Sequence, residues 1–425
     1  MNQTIEIAQD EEPVKVILVT ADTGEFDAEI SVKELEELAR TARAVTVGVV
    51  IQKRPAPDSA TYIGSGRLRE LVSEIEATGA ELLIFDCELT ANQTRNIEEI
   101  TDVRVIDRTT LILDIFAARA VSKEGRIQVE LAQQKYRLAH LAGKGIALSR
   151  LGGGIGTRGP GESKLETDRR HIRTRIENLE KALKEIRSRR ELIRSRRKKD
   201  GVLTAAVVGY TNAGKSTLLN ALTDAGVLAE DKLFATLDTT SRAVLLPDGR
   251  SVLLTDTVGL IRRLPHNLVE AFKSTLEEAA NADIIINVID VSDENAKSQA
   301  IVTDELLKEL GCDGIPRVNV LNKCDKLPGA ENIPEDGTTV KISAKKGEGL
   351  ERLLEAVSEN LPSRAVRGRF LIPYDKSGLL NAIRIDGTIF SEEYTPEGTY
   401  IDALVDCKIY GGKDGAEQYR REQPL

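Results

Sequence analysis

The chain has 425 residues, 41% of them hydrophobic and 30% charged, a mixture that excludes intrinsic disorder and, at roughly 150 residues per domain, favours several cores over one. No run approaches the roughly 20 uncharged apolar residues of a spanning helix, and the opening MNQTIEIAQDEEP lacks the regions of a secretory signal, so export and stable membrane insertion are not expected. The formal charge of −9 is uneven: Lys164 to Lys199 carries fifteen Lys or Arg against six Asp or Glu, a local +9 that leaves −18 for the rest.

Apolar, β-branched runs at 14–20, 45–50, 81–85 and 103–106 alternate with helical patterns such as SVKELEELARTA and SGRLRELVSEIEA. That order predicts βα units on a mostly parallel sheet over 1–122. Two long helical segments follow over 123–200. Ile127, Leu131, Gln134, Leu138 and Leu141 keep a four-three rhythm in the first, and Ile172, Ile176, Leu179, Leu183, Ile186 and Ile193 keep it in the second. Seams so narrow predict an antiparallel pair, each seam burying the other. Between them LGGGIGTRGPGESK, 151–164, reads as an exposed, mobile loop. From 201 to 365 buried-strand runs (LTAAVVG, SVLLTD, DIIINVID, RVNVLN) again alternate with helices, predicting a second α/β domain; 366–425 reads as a small α+β domain with a helix near Leu379.

Four cysteines, Cys87, Cys312, Cys324 and Cys407, lie far apart with no CxxC pair. Neither a disulfide framework nor a zinc site is expected, and they read as buried thiols of a reducing cytoplasm.

The strongest chemical signal is Gly209-Tyr210-Thr211-Asn212-Ala213-Gly214-Lys215-Ser216-Thr217, which matches GxxxxGK[ST] between a buried strand and the helix STLLNALTDAG. Such a loop wraps phosphates with backbone N–H groups at the positive end of a helix. Lys215 is expected to reach the β- and γ-phosphates, and the Ser216 hydroxyl to ligate Mg²⁺. Asn322-Lys323-Cys324-Asp325, after the strand RVNVL, resembles the NKxD motif of GTPases. A carboxylate there accepts two hydrogen bonds from guanine, a donor pair that adenine lacks. Asp325 is thus the expected selector, Asn322 the brace of the loop, and the Lys323 stem a platform along the ring. Ser343-Ala344-Lys345 resembles the companion loop that offers a backbone N–H to the base.

Asp256-Thr257-Val258-Gly259 resembles the DxxG segment: Asp256 would hold Mg²⁺ through a water and the Gly259 N–H would sense the γ-phosphate. Within Phe234-Ala235-Thr236-Leu237-Asp238, Thr236 is the switch threonine expected to complete the metal shell, with Thr239 and Thr240 as rivals. Lys215, Thr236 and Gly259 are accordingly the residues assigned to the chemistry. The residue after DxxG is Leu260, where Ras-like enzymes place a water-orienting glutamine. Leucine neither donates nor accepts a hydrogen bond, so intrinsic hydrolysis should be slow and a partner should complete the site. His266 is read as a surface loop histidine rather than a water-orienting group, and His140 and His171 receive no role.

The cluster RSRRELIRSRRKK abuts the nucleotide domain, and fifteen cations on one segment predict salt-dependent affinity for phosphate backbones. Arg189, Arg190, Arg196 and Arg197 are the expected RNA contacts there, with Arg150, Arg158 and Lys164 at the glycine-rich tip. No aromatic residue lies between Leu141 and Lys199, so contact should be electrostatic and shape-based rather than by stacking. A plain solvated helix face is the alternative for the cluster, and a disordered connector the alternative for the glycine-rich segment.

Taken together the chain resembles the HflX family of translation-factor-related GTPases. The resemblance is carried most specifically by LSRLGGGIGTRGPGESKLETDRRHIRTRI (148–176), ILDIFAARA (112–120), IGSGRLREL (63–71), FATLD and DTVGL. It implies an N-terminal α/β part with a helical hairpin, then a G domain, with Mg²⁺ and GTP as cofactor and substrate. It also implies binding to the large ribosomal subunit and its RNA, and dissociation of stalled or idle ribosomes. A cytoplasmic monomer, in part peripherally associated with membrane, is expected. The competing readings are an NTP-driven, helicase-like RNA remodeller, and a non-catalytic module whose bound nucleotide only sets affinity for a partner.

Overall fold

The structure, a computed structural model, describes residues 12–149, 160–199, 202–223, 233–234, 240–263, 265, 277–362, 365–410 and 415–421. The chain divides into two compact units, Met1–Asn360 and Leu361–Leu425. Among the described residues no helix is long and apolar enough to cross a membrane.

The first unit opens with strands β1 (Lys15–Asp22), β2 (Val45–Lys53), β3 (Leu82–Phe85) and β4 (Arg104–Asp107), all parallel in the order β2-β1-β3-β4. Helices α1 (Ala28–Thr41), α2 (Ser65–Thr78) and α3 (Ala91–Thr101) connect them, and α4 (Arg108–Arg119) follows β4. Local chemistry starts these helices where the pattern changes. Asp27 caps α1 by accepting the N–H groups of Glu29 and Ile30, and Thr90 and Gln93 form a reciprocal capping box on α3. Val32, Leu35, Leu38 and Ala39 of α1 then meet Val16 and Leu18 of β1, together with α4, in one buried cluster.

Helices α5 (Lys123–Ser149) and α6 (Pro160–Lys199) form the expected hairpin. Glu124 pairs with Arg190, Lys135 with Glu180, and Arg169 donates to the Leu141 carbonyl, so the two helices run in opposite directions. Leu131, Ile172, Ile176, Leu179 and Leu183 fill the seam, with Ile127, Leu138 and Leu141 packed against it. Each such leucine or isoleucine contributes about 1.5–3 kcal/mol by burial. Ile193 departs from the predicted seam: it is 52% exposed and its neighbour Leu192 66%. The reason is length. Arg190 already faces Glu124, at the start of α5, so no turn of α5 remains for Ile193 to meet. The glycine-rich loop is also shorter than predicted, because α6 begins at Pro160, a residue that suits a first helical turn. Lys164 therefore lies on a helix, while Arg150 and Arg158 are outside the described residues.

The second sheet has the order β10-β9-β8-β5-β7-β6. Its parallel strands are β5 (Leu203–Gly209), β7 (Ser251–Asp256), β8 (Ile284–Asp290), β9 (Arg317–Asn322) and β10 (Thr339–Lys341). Edge strand β6 (Ser241–Leu245) pairs antiparallel with β7 and buries only Val244, which is why no apolar run announced it. Helices α7 (Lys215–Thr223), α8 (Ala296–Glu309) and α9 (Leu350–Asn360) complete the α/β arrangement. Gly209, Asp256, Asp290 and Asn322 each end a strand of this sheet, so the sequence motifs gather at its carboxyl edge.

The unit Leu361–Leu425 is an antiparallel sheet, β12-β13-β11-β14, with β11 at Ala365–Ile372, β12 at Thr388–Thr395, β13 at Gly398–Asp406 and β14 at Arg420–Arg421. Helix α10 (Ser377–Asp386) buries Leu380 and Ile383 against Phe370, Ile372, Ile401, Ala403 and Val405. A short helix α11 (Cys407–Tyr410) follows β13. Strand β12 was invisible to periodicity, since none of its residues is fully buried.

Candidate nucleotide-binding site

The phosphate loop joins β5 to α7, and two of its glycines are required by close approach. A Cβ on Gly209, at φ +149°, would sit 2.2 Å from the Val288 carbonyl oxygen, and one on Gly214, at φ +96°, would sit 2.3 Å from Asn322 Nδ2. Asn212 between them also takes a left-handed conformation, φ 62°. Lys215 is buried, and its ammonium donates to the carbonyls of Gly209 at 3.2 Å and Tyr210 at 2.9 Å. Burial pulls its pKa down to about 8, against the opposing attraction of Asp256. Ser216 Oγ donates to Asp256 Oδ2 at 2.8 Å. A hydroxyl and a fully buried carboxylate so close together form a hard-oxygen donor set of the kind magnesium takes.

The DxxG segment lies directly on this loop. Leu260 N–H donates to the Gly209 carbonyl at 3.1 Å and Thr211 N–H to the Leu260 carbonyl at 2.7 Å. A Cβ on Gly259 would meet Thr211 Cα at 2.8 Å and Lys215 Nζ at 3.1 Å, so only glycine lets the segment approach this closely. Thr257 donates its hydroxyl to the Val207 carbonyl at 2.8 Å, which anchors the segment to β5. Leu260 itself is buried, a side chain used for packing.

On the far side of the loop Asn322 forms a bridge. Its Nδ2 donates to the Ala213 carbonyl at 2.8 Å, and its Oδ1 accepts the Ala344 N–H at 3.0 Å. One side chain thus ties the phosphate loop to Ser343-Ala344-Lys345. Asp325 Oδ1 accepts the Ser343 hydroxyl at 2.8 Å, and this bond holds the carboxyl below its ordinary range. Lys323 stands at φ 62°, Cys324 donates its thiol to the Leu321 carbonyl at 3.2 Å, and burial pushes that thiol up. The three strand-end motifs therefore meet around one loop.

The switch residues fare differently. Ala235, Thr236, Leu237, Asp238 and Thr239 lie outside the described residues, as does His266. Phe234 is described, and its ring packs 4.6 Å from that of Phe116 in α4, inside the N-terminal core. Its N–H donates to Thr211 Oγ1 at 2.9 Å, while the Leu233 N–H donates to Thr41 Oγ1 at 3.2 Å. Thr240 accepts the Asp256 N–H with its carbonyl at 3.0 Å.

Sequence reasoning missed a second polar layer behind the site. Tyr210 donates its hydroxyl to Glu34 of α1 and accepts the Arg262 N–H at 2.9 Å. Glu34 also pairs with Arg108, whose other nitrogen donates to Asp86 Oδ1 at 2.9 Å. Asp86 is fully buried and receives Arg263 at 3.0 Å and the Ser31 hydroxyl at 2.5 Å. The Arg263 guanidinium lies 4.0 Å over the Phe26 ring. Asp86 follows β3 and Phe26 follows β1, so Arg263 fills the crevice between adjacent strands where an open α/β sheet ordinarily takes a ligand. Beside this layer a cavity of about 430 Å³ lies between α1 and the outer face of the phosphate loop, lined among others by Lys33, Arg40, Thr211, Asn212 and Asp290.

Of the expected RNA contacts, Arg189, Arg196 and Arg197 are exposed on α6. Arg190 is engaged: it pairs with Glu124 at 2.5 Å and with Glu278 at 3.7 Å, and Arg194 joins Glu278 at 2.8 Å.

Three family models match in succession: "GTP-binding GTPase N-terminal" over residues 29–117, "GTP-binding GTPase Middle Region" over 119–197, and "50S ribosome-binding GTPase" over 204–323. GTPase HflX of Caldanaerobacter subterraneus subsp. tengcongensis is 51% identical over 405 residues, covering 95% of this chain and 93% of that protein. GTPase HflX of Escherichia coli is 42% identical over 346 residues, covering 80% and 81%. Among solved structures, a GTP-binding protein from the archaeon Sulfolobus solfataricus in complex with GDP is 26% identical, covering 81% of this chain and 98% of that one with a TM-score of 0.43. With such identity sustained along both chains, this protein belongs to the HflX family of GTPases and hydrolyses GTP.

Proposed function

We propose that this GTPase binds the large ribosomal subunit through its RNA and, in the GTP form, dissociates stalled or idle ribosomes, with hydrolysis releasing it. The observation that carries the reading is the meeting of two guanine-type segments, 322–325 and 343–345, and the DxxG segment around one phosphate loop, joined to a basic hairpin through Arg190, Arg194 and Glu278. The match of residues 204–323 to a family described as a 50S ribosome-binding GTPase points to the same partner.

In this reading the loop N–H groups of Gly209 to Thr217 and the Lys215 ammonium hold the phosphates, and nucleotide binding exchanges that ammonium's carbonyl partners for phosphate oxygens. Ser216 and Thr236 would ligate Mg²⁺, and Asp256 would hold it through water. When bound, the ion neutralises charge on the β- and γ-phosphates. Gly259 presents its N–H to the γ-phosphate, Asp325 accepts from the guanine edge, and Ala344 offers its N–H to the base. Thr257, Val258, Cys324, Ser343 and Lys345 are the remaining expected contacts to the nucleotide; Phe234 packs in the core beside Phe116, and Ala235, Leu237 and Asp238 lie outside the described residues. Leu260 cannot orient water, so the ribosome supplies or orders the missing polar group.

Phosphate release measured with and without large subunits tests the reading. Turnover should rise by at least about tenfold, a barrier change of roughly 1.4 kcal/mol; a rate indifferent to saturating subunits would remove the ribosome from the mechanism. Sedimentation of assembled ribosomes after incubation with protein and a non-hydrolysable GTP analogue should show separated subunits. Asp325→Asn exchanges an acceptor for a donor and should move preference from guanosine to xanthosine nucleotides, which competition binding measures directly.

A further inference from the structure

Beside the base-side loop an ion pair joins Asp290 to Lys323. Asp290 ends β8 in register with Asn322 of β9. Its Oδ1 accepts the N–H and the hydroxyl of Ser292 at 3.0 and 2.6 Å, which fixes the carboxylate's orientation. Its Oδ2 faces the Lys323 ammonium at 2.7 Å, with the two side chains only 13% and 19% exposed. The backbones agree with the side chains. Val291, one residue past β8, donates its N–H to the carbonyl of Asn322, the last residue of β9, at 3.1 Å, which holds the two strand ends together.

A lysine side chain is long and loses much rotamer freedom when it is fixed. A stem that must lie along a purine ring spends that freedom on binding unless it is held beforehand. Asn322 and Asp325 are already restrained by the Ala213 carbonyl, the Ala344 N–H and the Ser343 hydroxyl. Lys323 has Asp290.

We propose that Asp290 is a positioning residue for base recognition: by anchoring the Lys323 ammonium it sets the methylene stem in place as a platform for guanine before nucleotide arrives. The proposal rests on the nucleotide-site reading above and concerns its base side only. Asp290 accordingly governs affinity for ligands that carry guanine and leaves affinity for a bare phosphate chain alone.

The test uses the full chain, stripped of nucleotide, with Asp290→Asn as the near-isosteric variant and Asp290→Ala beside it. The ligands are GDP and inorganic pyrophosphate, each with magnesium, measured by calorimetry or by competition against a fluorescent GDP. Both variants should bind GDP about tenfold more weakly, a change of roughly 1.4 kcal/mol, with pyrophosphate affinity unchanged. Lys323→Met should give the same loss, and the double variant no more than either single one, because the two residues act as a unit. Parallel loss of GDP and pyrophosphate would reduce Asp290 to a structural staple and overturn the proposal, as would additive losses in the double variant or undiminished GDP affinity. Wild-type protein that binds neither ligand would instead overturn the underlying site reading, a result distinct from a competent wild type with indifferent variants.

Discussion

Asp114 sits in α4 between Leu113 and Ile115, both buried, and burial lifts its carboxyl to about 6 despite the attraction of Arg104. In the unfolded chain it titrates near 3.8. Between those values the folded chain binds the extra proton, so stability falls as pH rises through that window, and above it the full penalty is present. Asp114→Asn should therefore stabilise the protein at pH 7, by on the order of 1–3 kcal/mol, and by little near pH 4. Urea unfolding at the two pH values measures this, and an equal gain at both would exclude the titration as its cause. The apolar run LILDIF carries one acid, but the run does not reveal whether that acid is buried. Sequence shows that a carboxylate is surrounded by apolar neighbours, and only packing shows whether water still reaches it.

The basic helix α6 shows how one compositional feature divides when it folds. As a charge run, Arg189, Arg190, Arg196 and Arg197 are equivalent, yet Arg190 is held by Glu124 and Glu278 while the other three are exposed. Arg189, Arg196 and Arg197 changed together to Gln should weaken RNA binding and lower the slope of log affinity against log salt by about 2–3, while leaving the melting temperature unaltered. Arg190→Gln should do the reverse, lowering stability by about 1–3 kcal/mol through loss of charge-assisted hydrogen bonds. Filter binding across a salt series and thermal melts separate the two, and identical behaviour of all four residues would restore the solvated-face alternative. The seam of the hairpin was readable from its four-three rhythm because that rhythm is a property of one helix. Its end at Leu183 was not, because it depends on where α5 begins.

Within the first unit, the N-terminal sheet and the nucleotide domain share a core. Phe234 inserts beside Phe116, and Arg263 occupies the crevice at Asp86. Asp86→Ala would strip Arg263, and one arm of the almost wholly buried Arg108, of their counter-charge, a loss expected to destabilise by about 3–5 kcal/mol. Equilibrium denaturation should show that loss, and a variant as stable as the parent would mean that water or another group already screens the site. No motif announced this layer. Local patterns were enough for the order of strands and helices and for marking 209–217, 322–325 and 343–345 as motifs at strand ends, since alternation, glycine placement and strand-to-helix succession are properties of neighbouring residues. Glu34, Arg263, Glu124 and Lys323 lie 176, 177, 66 and 33 positions along the chain from Tyr210, Asp86, Arg190 and Asp290. Which charges become buried pairs and which stay free to meet a ligand was settled by the fold, because pairing energy depends on distance and on exclusion of water, and neither is written along the chain.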